Sequence, residues 1–150
     1  MRIAAVIALA VTAAMPVAAA ATSVDDLFQQ FGLFGNWAGD CKQPATPSNP
    51  HVSITTPSAG LVLEDHDLGP NFAINRYSML SAERLSAERL SVQVIFQPGG
   101  ADEERDRLEF RVRKSTRRTL FNQADGGKVL VKDGIALANG SKTPVLKKCE

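Results

Sequence analysis

The sequence has few of the residues from which most active sites and metal sites are built. Two cysteines and two histidines occur among 150 residues, and aromatic residues make up 6%. Cys41 and Cys149 are far from the C-x-x-C spacing of redox pairs, and His51 and His66 do not have the spacing of a zinc motif. The chain also contains no Gly-x-Ser-x-Gly elbow for a catalytic serine. We therefore expect a protein that is not an enzyme and that uses no metal and no cofactor.

An excess of charge of one sign is also missing. The chain carries 17 Lys and Arg against 16 Asp and Glu, and Arg2 is the one charged residue among the first twenty. Nucleic-acid binding depends on an excess of cations over the phosphate lattice, so we expect no nucleic-acid partner, and attraction to a membrane surface is disfavoured for the same reason. The partner that we expect is an unknown small ligand or another protein, bound by a monomer.

Long apolar runs are missing after the first twenty residues. Within them, Arg2 precedes an apolar run over residues 3–15, Pro16 interrupts it, and small residues follow up to Thr22. This is the order of parts in a cleavable signal peptide. The run is also shorter than the roughly 20 residues that a membrane-spanning helix needs. We predict a signal peptide at residues 1–20 and a periplasmic or secreted protein without membrane insertion.

Cleavage after Ala20, or alternatively after Ala21, leaves a chain long enough for one domain and too short for two. We assign residues 21–150 to a single domain. After export, its two cysteines, Cys41 and Cys149, would be in an oxidising compartment. A disulfide between them is therefore the simplest interpretation. Free thiols and intermolecular pairing are the alternatives. In the chain-entropy model, a disulfide that closes a loop of this length stabilises the folded protein by about 4.7 kcal/mol. This is an upper figure, because strain in the native disulfide subtracts from it.

The mature region begins with the pattern of a short helix. Ser23 is a suitable N-cap, Asp25 and Asp26 place negative charge in the first turn, apolar residues including Phe28 follow at helical spacing, and Gly32 ends the pattern. Three prolines then predict a surface loop over residues 42–50.

Beyond His51 the sequence is typical of antiparallel β structure, because short apolar runs alternate with turn residues and no clear helical period returns. A hairpin loop is predicted over residues 98–107, and three glycine-containing turns predict a closing meander of short strands. The predicted strands contain apolar positions that begin at Val52, Leu61, Phe72, Leu90 and Leu108.

One five-residue unit is repeated in tandem. Ser-Ala-Glu-Arg-Leu at residues 81–85 recurs at residues 86–90. A helix is possible because these are good helix formers, but leucines five residues apart do not stay on one helical face. We prefer an insertion that lengthens the hairpin connection between two strands.

Three charged clusters could carry chemistry, and each has a simpler interpretation. Residues 64–67, Glu-Asp-His-Asp, could bring two carboxylates to one strand face for a hard cation, but a solvated turn is the preferred interpretation. Residues 102–107 are expected to be a solvated hairpin tip. Arg111, Arg113, Lys114, Arg117 and Arg118 could bind an anion, but we prefer a charged outer face that keeps a strand soluble.

The most specific feature is Gly35-x-Trp37, which follows the short helix and precedes the predicted strands. Here the sequence resembles the lipocalin and wider calycin group. That resemblance implies that Trp37 closes the narrow end of a barrel beneath an Arg of a late strand, for which Arg117 or Arg118 is the counterpart by order. The group's Thr-Asp-Tyr signature is missing. The interpretation of Trp37 that we prefer is a core anchor beside the disulfide.

Two further groups share this layout. The chain is similar to the small periplasmic metalloprotease inhibitors of proteobacteria, although their N-terminal tail enters the protease and residues 23–31 here have a helical pattern. It also resembles small exported alphaproteobacterial proteins of unknown function that open with Trp-x-x-Asp-Cys, here residues 37–41. That resemblance implies no activity.

Together these observations predict an all-β protein: a lipocalin-like small barrel, or a strongly curved antiparallel meander, with a short N-terminal helix. The expected function is that of an exported, non-catalytic binding module for a small apolar ligand or a protein partner. A periplasmic protease inhibitor and an envelope structural or stress protein are the alternatives.

Overall fold

The computed structural model describes residues 22–150, so the predicted signal peptide lies outside the described residues. The first element is helix α1, Val24–Gln30. Ser23 caps it as predicted, its Oγ accepting the backbone N–H of Asp26 at 3.1 Å. The helix ends where Gly32 takes the left-handed conformation, φ 63°. Among residues 22–150 no helix is long and apolar enough to cross a membrane.

Ten strands follow the helix and confirm the predicted antiparallel β structure. Short loops join most of them, and every pairing between strands is antiparallel. The strands are β1 Gly35–Ala38, β2 His51–Ser58, β3 Leu61–Asp67, β4 Asn75–Arg84, β5 Arg89–Phe96, β6 Glu104–Arg113, β7 Thr116–Ala124, β8 Val129–Lys132, β9 Ile135–Ala136 and β10 Leu146–Lys148.

The sheet closes into an eight-stranded barrel. Strands β1 to β7 pair in sequence order, and β10 pairs with both β1 and β7. On one side Trp37 lies opposite Lys148, and on the other Leu146 lies opposite Arg117. The short strands β8 and β9 extend the sheet beyond β7. The predicted all-β small barrel is therefore confirmed, and closure leaves its eight strands without a free edge along the seam.

Helix α1 closes one end of the barrel. It lies where β3 begins and β4 ends, because Asp25 accepts a hydrogen bond from the backbone N–H of Gly60 and Gln30 accepts one from Arg84. Leu27 and Phe28 of the helix are buried in the core. Trp37 is 1% exposed, and its indole Nε1 donates to the carbonyl of Leu33 at 2.8 Å. The core therefore fills the helix-covered end.

The predicted disulfide is present. Cys41 and Cys149 are bonded at an S–S distance of 2.02 Å with Cα atoms 5.7 Å apart. The backbone N–H of Cys149 also donates to the carbonyl of Asn36 at 2.8 Å. Both contacts hold β10 against β1, so the covalent link fixes the strand that closes the barrel.

The tandem repeat forms a β-hairpin, so residues 81–90 are not a helix, while their origin as an insertion stays a prediction. The first copy ends β4, and the second makes the turn and begins β5. One sequence therefore adopts two local structures, because register on the neighbouring strands decides which leucine turns inward.

Two boundaries predicted from the sequence were wrong. The hairpin loop expected over residues 98–107 is shorter, since β6 begins at Glu104 and Asp106 is only 6% exposed on its inner face. The strand expected from Phe72 begins at Asn75, and Phe72 is 52% exposed. The turn before it is held by Gly69, whose φ is 104° and whose Cβ, if present, would lie 2.7 Å from the carbonyl oxygen of Ala45. The turn therefore requires glycine at residue 69.

Candidate functional site

The barrel interior contains a cavity of about 260 Å³ near the end opposite helix α1. It lies where β3 and β7 end and β4 begins, beside the point at which β7 separates from β10. Protein interiors are close-packed, so a cavity of this size is a specific feature of the fold. Its apolar walls and rim include Val52, Leu108, Phe110, Leu146, Pro47 and Pro50.

A buried ion pair forms the polar floor of this cavity. Arg117 Nη1 donates to Glu64 Oε2 at 3.0 Å, and Arg117 Nη2 donates to Glu64 Oε1 at 2.8 Å. Both side chains are at most 2% exposed. Because β3 and β7 are not neighbours in the sheet, the pair crosses the barrel interior. The guanidinium also lies over the Phe110 ring, 4.4 Å from its centroid.

The Glu64 carboxylate is held in its charged form. Burial alone would raise its pKa, but the Arg117 guanidinium and the His66 hydrogen bond outweigh burial and lower the pKa of Glu64 to about 2. The floor therefore carries one negative and one positive charge that satisfy each other. It requires no charge from a ligand.

His66 extends this network into the cavity. Its Nε2 lies 2.6 Å from Glu64 Oε1. An ionised carboxylate can only accept, so Nε2 carries the hydrogen of this bond. The imidazole is 26% exposed, and it lies against the Tyr77 ring at 5.1 Å between centroids.

Tyr77 is the central ring of an aromatic row. It contacts His66 on one side and Phe96 on the other, the second pair also 5.1 Å apart. Burial raises the pKa of Tyr77, and the negative charges of Glu64 and Asp106 raise it further. The phenol therefore stays protonated and offers the cavity a hydrogen-bond donor.

Two acceptors near the cavity have no partner. Asn122 lies on the cavity wall, and its Oδ1 is buried without a hydrogen bond within the described residues. The same holds for Oδ1 of Asp106 on the neighbouring strand. Burial first, and then the charges of Glu104 and Asp125, raise the pKa of Asp106, while the Asn122 side chain lowers it. Buried acceptors without donors are rare in native proteins.

The interpretation of residues 64–67 as a solvated turn was wrong. They end strand β3, and Glu64 is 1% exposed. Strand alternation places Glu64 and His66 on the inner face, and Asp65 is on the outer face with Arg76 at 2.6 Å. Among the described residues no three His, Cys, Asp or Glu side chains group as metal ligands do.

The five basic residues do not form one outer strip. Arg117 is 2% exposed inside the barrel, so its assignment to a solvated face was wrong. Arg118 donates from Nε to Thr143 at 3.0 Å and from Nη2 to the carbonyl of Gly134 at 2.6 Å. Arg113 remains outside, paired with Glu88.

The motif residues lie at the helix-covered end, away from the cavity floor. Gly35 begins β1 with φ 113°, and Trp37 is a core anchor. The cation over the Trp37 ring is Lys148, whose Nζ is 5.5 Å from the centroid, while Arg117 covers Phe110. Neither Gly35 nor Trp37 lines this cavity.

Sequence reasoning missed the importance of Glu64, His66 and Tyr77. A signal for Glu64 exists, because Val62 and Glu64 are two residues apart on a strand and must share a face. A buried acid then requires a buried base.

Comparison of the chain with protein-family models, with curated proteins and with solved structures finds no match.

Proposed function

We propose that this protein is a binding module for a small, mainly apolar molecule that occupies the cavity at the open end of the barrel. The observation that carries this proposal is the cavity itself, about 260 Å³ between apolar walls and a polar floor. Ligand pockets usually span about 300–1,000 Å³, so the ligand is small. Apolar walls with a few convergent polar groups are the usual composition of such pockets.

The floor favours binding over catalysis. Glu64 and Arg117 satisfy each other through two hydrogen bonds, so neither is free to attack or protonate a substrate. Their coupling across the barrel also keeps the cavity walls in place. This lowers the free-energy cost of ordering side chains when a ligand binds. The cavity is therefore a preformed receptor in this proposal.

The disulfide supports a protein of an oxidising compartment, because such bonds are rare in the cytosol. Together with the predicted signal peptide, the Cys41–Cys149 bond supports a periplasmic or secreted protein. The Gly35-x-Trp37 opening of the first barrel strand supports a relationship to the lipocalin group, which we propose on that basis.

The inhibitor alternative has less support. Leu27 and Phe28 of helix α1 are buried in the core, so this segment is not free to enter a protease cleft. No observation favours an envelope structural or stress role.

A fluorescence titration tests the proposal. The probe is N-phenyl-1-naphthylamine, a neutral aromatic dye whose emission rises in apolar surroundings. We expect one dye per chain with a Kd of roughly 1–100 μM, the range for a ligand of this size. Val131 lines the cavity, so Val131→Phe fills it and weakens binding at least about tenfold.

The matched control is Val145→Phe, because Val145 is 51% exposed and lies outside the cavity lining. It should bind the dye like the unaltered protein. Absence of dye binding, or equal binding by both variants, would overturn the proposal.

A further inference from the structure

One positive charge of the cavity lining has no acidic partner. The lining contains a single acid, Glu64, and two guanidinium groups, those of Arg117 and Arg118. Glu64 and Arg117 neutralise each other on the floor, whereas Arg118 forms no ion pair with any carboxylate of residues 22–150. The lining therefore carries an excess of positive charge, and a protonated His66 would only add to it.

Arg118 lies at the mouth of the cavity, where the barrel wall is open. Strand β7 pairs with β10 as far as Arg117 and with β8 from Asn122 onward, which leaves a gap between the two partner strands. Successive side chains of a strand lie on opposite faces. Arg118 therefore leaves β7 on the face opposite to Arg117 and borders the cavity at this gap, where its side chain is half-buried.

The guanidinium of Arg118 is held in place, and one of its corners is unused. Nε donates to Thr143 Oγ1 at 3.0 Å, and Nη2 donates to the carbonyl of Gly134 at 2.6 Å. Thr143 Oγ1 in turn donates to the carbonyl of Thr119 at 2.6 Å. Gly134 lies against the same edge, because a Cβ there would be 2.7 Å from Nη2 and 3.0 Å from Nε. Nη1, at the opposite corner, has no acceptor within the described residues.

A cation arranged in this way favours an anion as its ligand. A guanidinium keeps its charge throughout the physiological pH range, and a charge-assisted hydrogen bond is roughly twice as strong as a neutral one. The contacts with Thr143 and Gly134 already hold the side chain, so little of its rotamer freedom is lost on binding.

The other polar groups of the wall do not oppose an anion at this position. Asn122 Oδ1, a buried acceptor without a partner in the described part of the chain, is four residues from Arg118 on β7, a distance of roughly 13 Å along a strand. Asp106 lies outside the cavity lining and borders a separate surface depression with Gly126. The negative charge of Glu64 is already matched by Arg117.

We propose that the ligand of the cavity is a carboxylate with an apolar body, whose charged group binds Nη1 of Arg118 at the mouth while its body lies along Leu108, Phe110 and Leu146. This inference rests on the proposed binding function and names the chemical class of its ligand.

Three ligands with the same phenyl body test it. 3-Phenylpropionate, 2-phenylethanol and phenethylamine carry an anion, a neutral hydroxyl and a cation, and each is titrated by displacement of N-phenyl-1-naphthylamine and by calorimetry. We expect the carboxylate to bind at least about tenfold more tightly than the amine, with the alcohol between them. The order should be the same at pH 6.0 and at pH 8.5, because Arg118 is charged at both. A preference for the carboxylate that disappears at pH 8.5 would overturn the inference and indicate His66 as the anion site.

Variants of Arg118 locate the anion. Arg118→Gln should abolish the preference for the carboxylate over the alcohol. Arg118→Lys keeps the charge without the fork of donors and should still bind the carboxylate more tightly than the alcohol, which separates the loss of charge from a disturbed rim. The control variant is Lys142→Gln, which removes an exposed cation beside Thr143 from outside the lining and should leave the order unchanged.

Equal or tighter binding of phenethylamine, or a carboxylate preference that survives Arg118→Gln, would overturn the inference. If the dye binds and the three ligands show no order, only the inference fails. If the dye does not bind at all, the proposed binding function fails and the inference fails with it.

Discussion

The ion pair between Glu64 and Arg117 is the residue-level feature on which the interior of this barrel depends. Two charges are taken out of water, and their mutual attraction and two hydrogen bonds offset much of that cost. The pair joins strands that are not neighbours, so it specifies which parts of the barrel wall face each other. Removing one partner would leave a buried charge alone.

Glu64→Gln should therefore destabilise the protein strongly. The free energy of unfolding, measured with urea, should fall by about 3–5 kcal/mol because Arg117 loses its counter-charge. The matched control is Asp65→Asn on the same strand. Asp65 pairs with Arg76 at the surface, where the two side chains are 30% and 49% exposed, so its loss should cost less than about 1 kcal/mol. Equal losses for the two variants would contradict this role of the pair.

The same carboxylate should make stability depend on pH in acid. The pKa of Glu64 is lowered from 4.5 to about 2 in the folded protein, so the unfolded chain takes up the proton first. Its contribution is complete above about pH 4.5 and is lost as pH falls toward 2. The double variant Glu64→Leu/Arg117→Met removes both charges, and its unfolding free energy should fall less steeply over that interval. Parallel curves would refute the assignment.

At this scale the sequence predicted some contacts and missed others for a physical reason. The disulfide partners were evident because only two cysteines exist, and Trp37 was expected in the core because a large aromatic gains most from burial. The role of Glu64 was missed because charged side chains are usually exposed, and Arg117 was named as a barrel residue only through the lipocalin resemblance. Their pairing joins residues 53 positions apart, which no local pattern records.

Elements of the fold were more predictable than side-chain roles. The cap of helix α1 and the alternation in β5 and β6 are local signals, and the structure confirms them. The boundary at residue 104 was wrong because charged residues suggested a loop where pairing with β5 extends β6. The strand predicted from Phe72 begins later, because its pairing with β3 extends only as far as Asn75. The hydrogen bonds that extend a strand come from residues distant in sequence, so these strand boundaries could not be predicted from the local sequence.

The tandem repeat provides an internal control at the scale of elements. Leu85 and Leu90 end the two copies, yet Leu85 is 44% exposed and Leu90 is fully buried. Leu90→Ala should lower the unfolding free energy by about 2–5 kcal/mol through the cavity it creates. Leu85→Ala should change it by no more than about 0.5 kcal/mol. Similar losses in a urea titration would mean that the hairpin register differs from the one described.

The whole molecule is a barrel closed by one short strand. Strand β10 has three residues and joins β1 to β7, so the seam contains few backbone hydrogen bonds. The disulfide beside β10 links residues 108 positions apart and compensates for that short seam.

Cys41→Ser/Cys149→Ser should lower the free energy of unfolding by about 2–5 kcal/mol. Hydrogen exchange, followed residue by residue, should also quicken first in β10 and the part of β1 beside it. Uniform quickening over all strands would show that the bond acts on the unfolded chain alone and has no local effect on the seam.

The cavity opens beside this seam, so closure of the barrel also shapes the cavity. Its lining comes from β2, β3, β4, β6, β7, β8, β10 and three connecting segments. No single element contains the site, which explains why sequence patterns predicted a barrel and could not predict its cavity.

The most direct test of the binding function is a methyl NMR titration with N-phenyl-1-naphthylamine. Signals of Val52, Leu108, Val131 and Leu146 around the cavity should shift together and saturate at one dye per chain. Signals of the exposed leucines Leu80, Leu85 and Leu137 should stay in place. Shifts confined to the exposed leucines, or no saturable shift at all, would contradict the proposal that this protein is a small-molecule binding module.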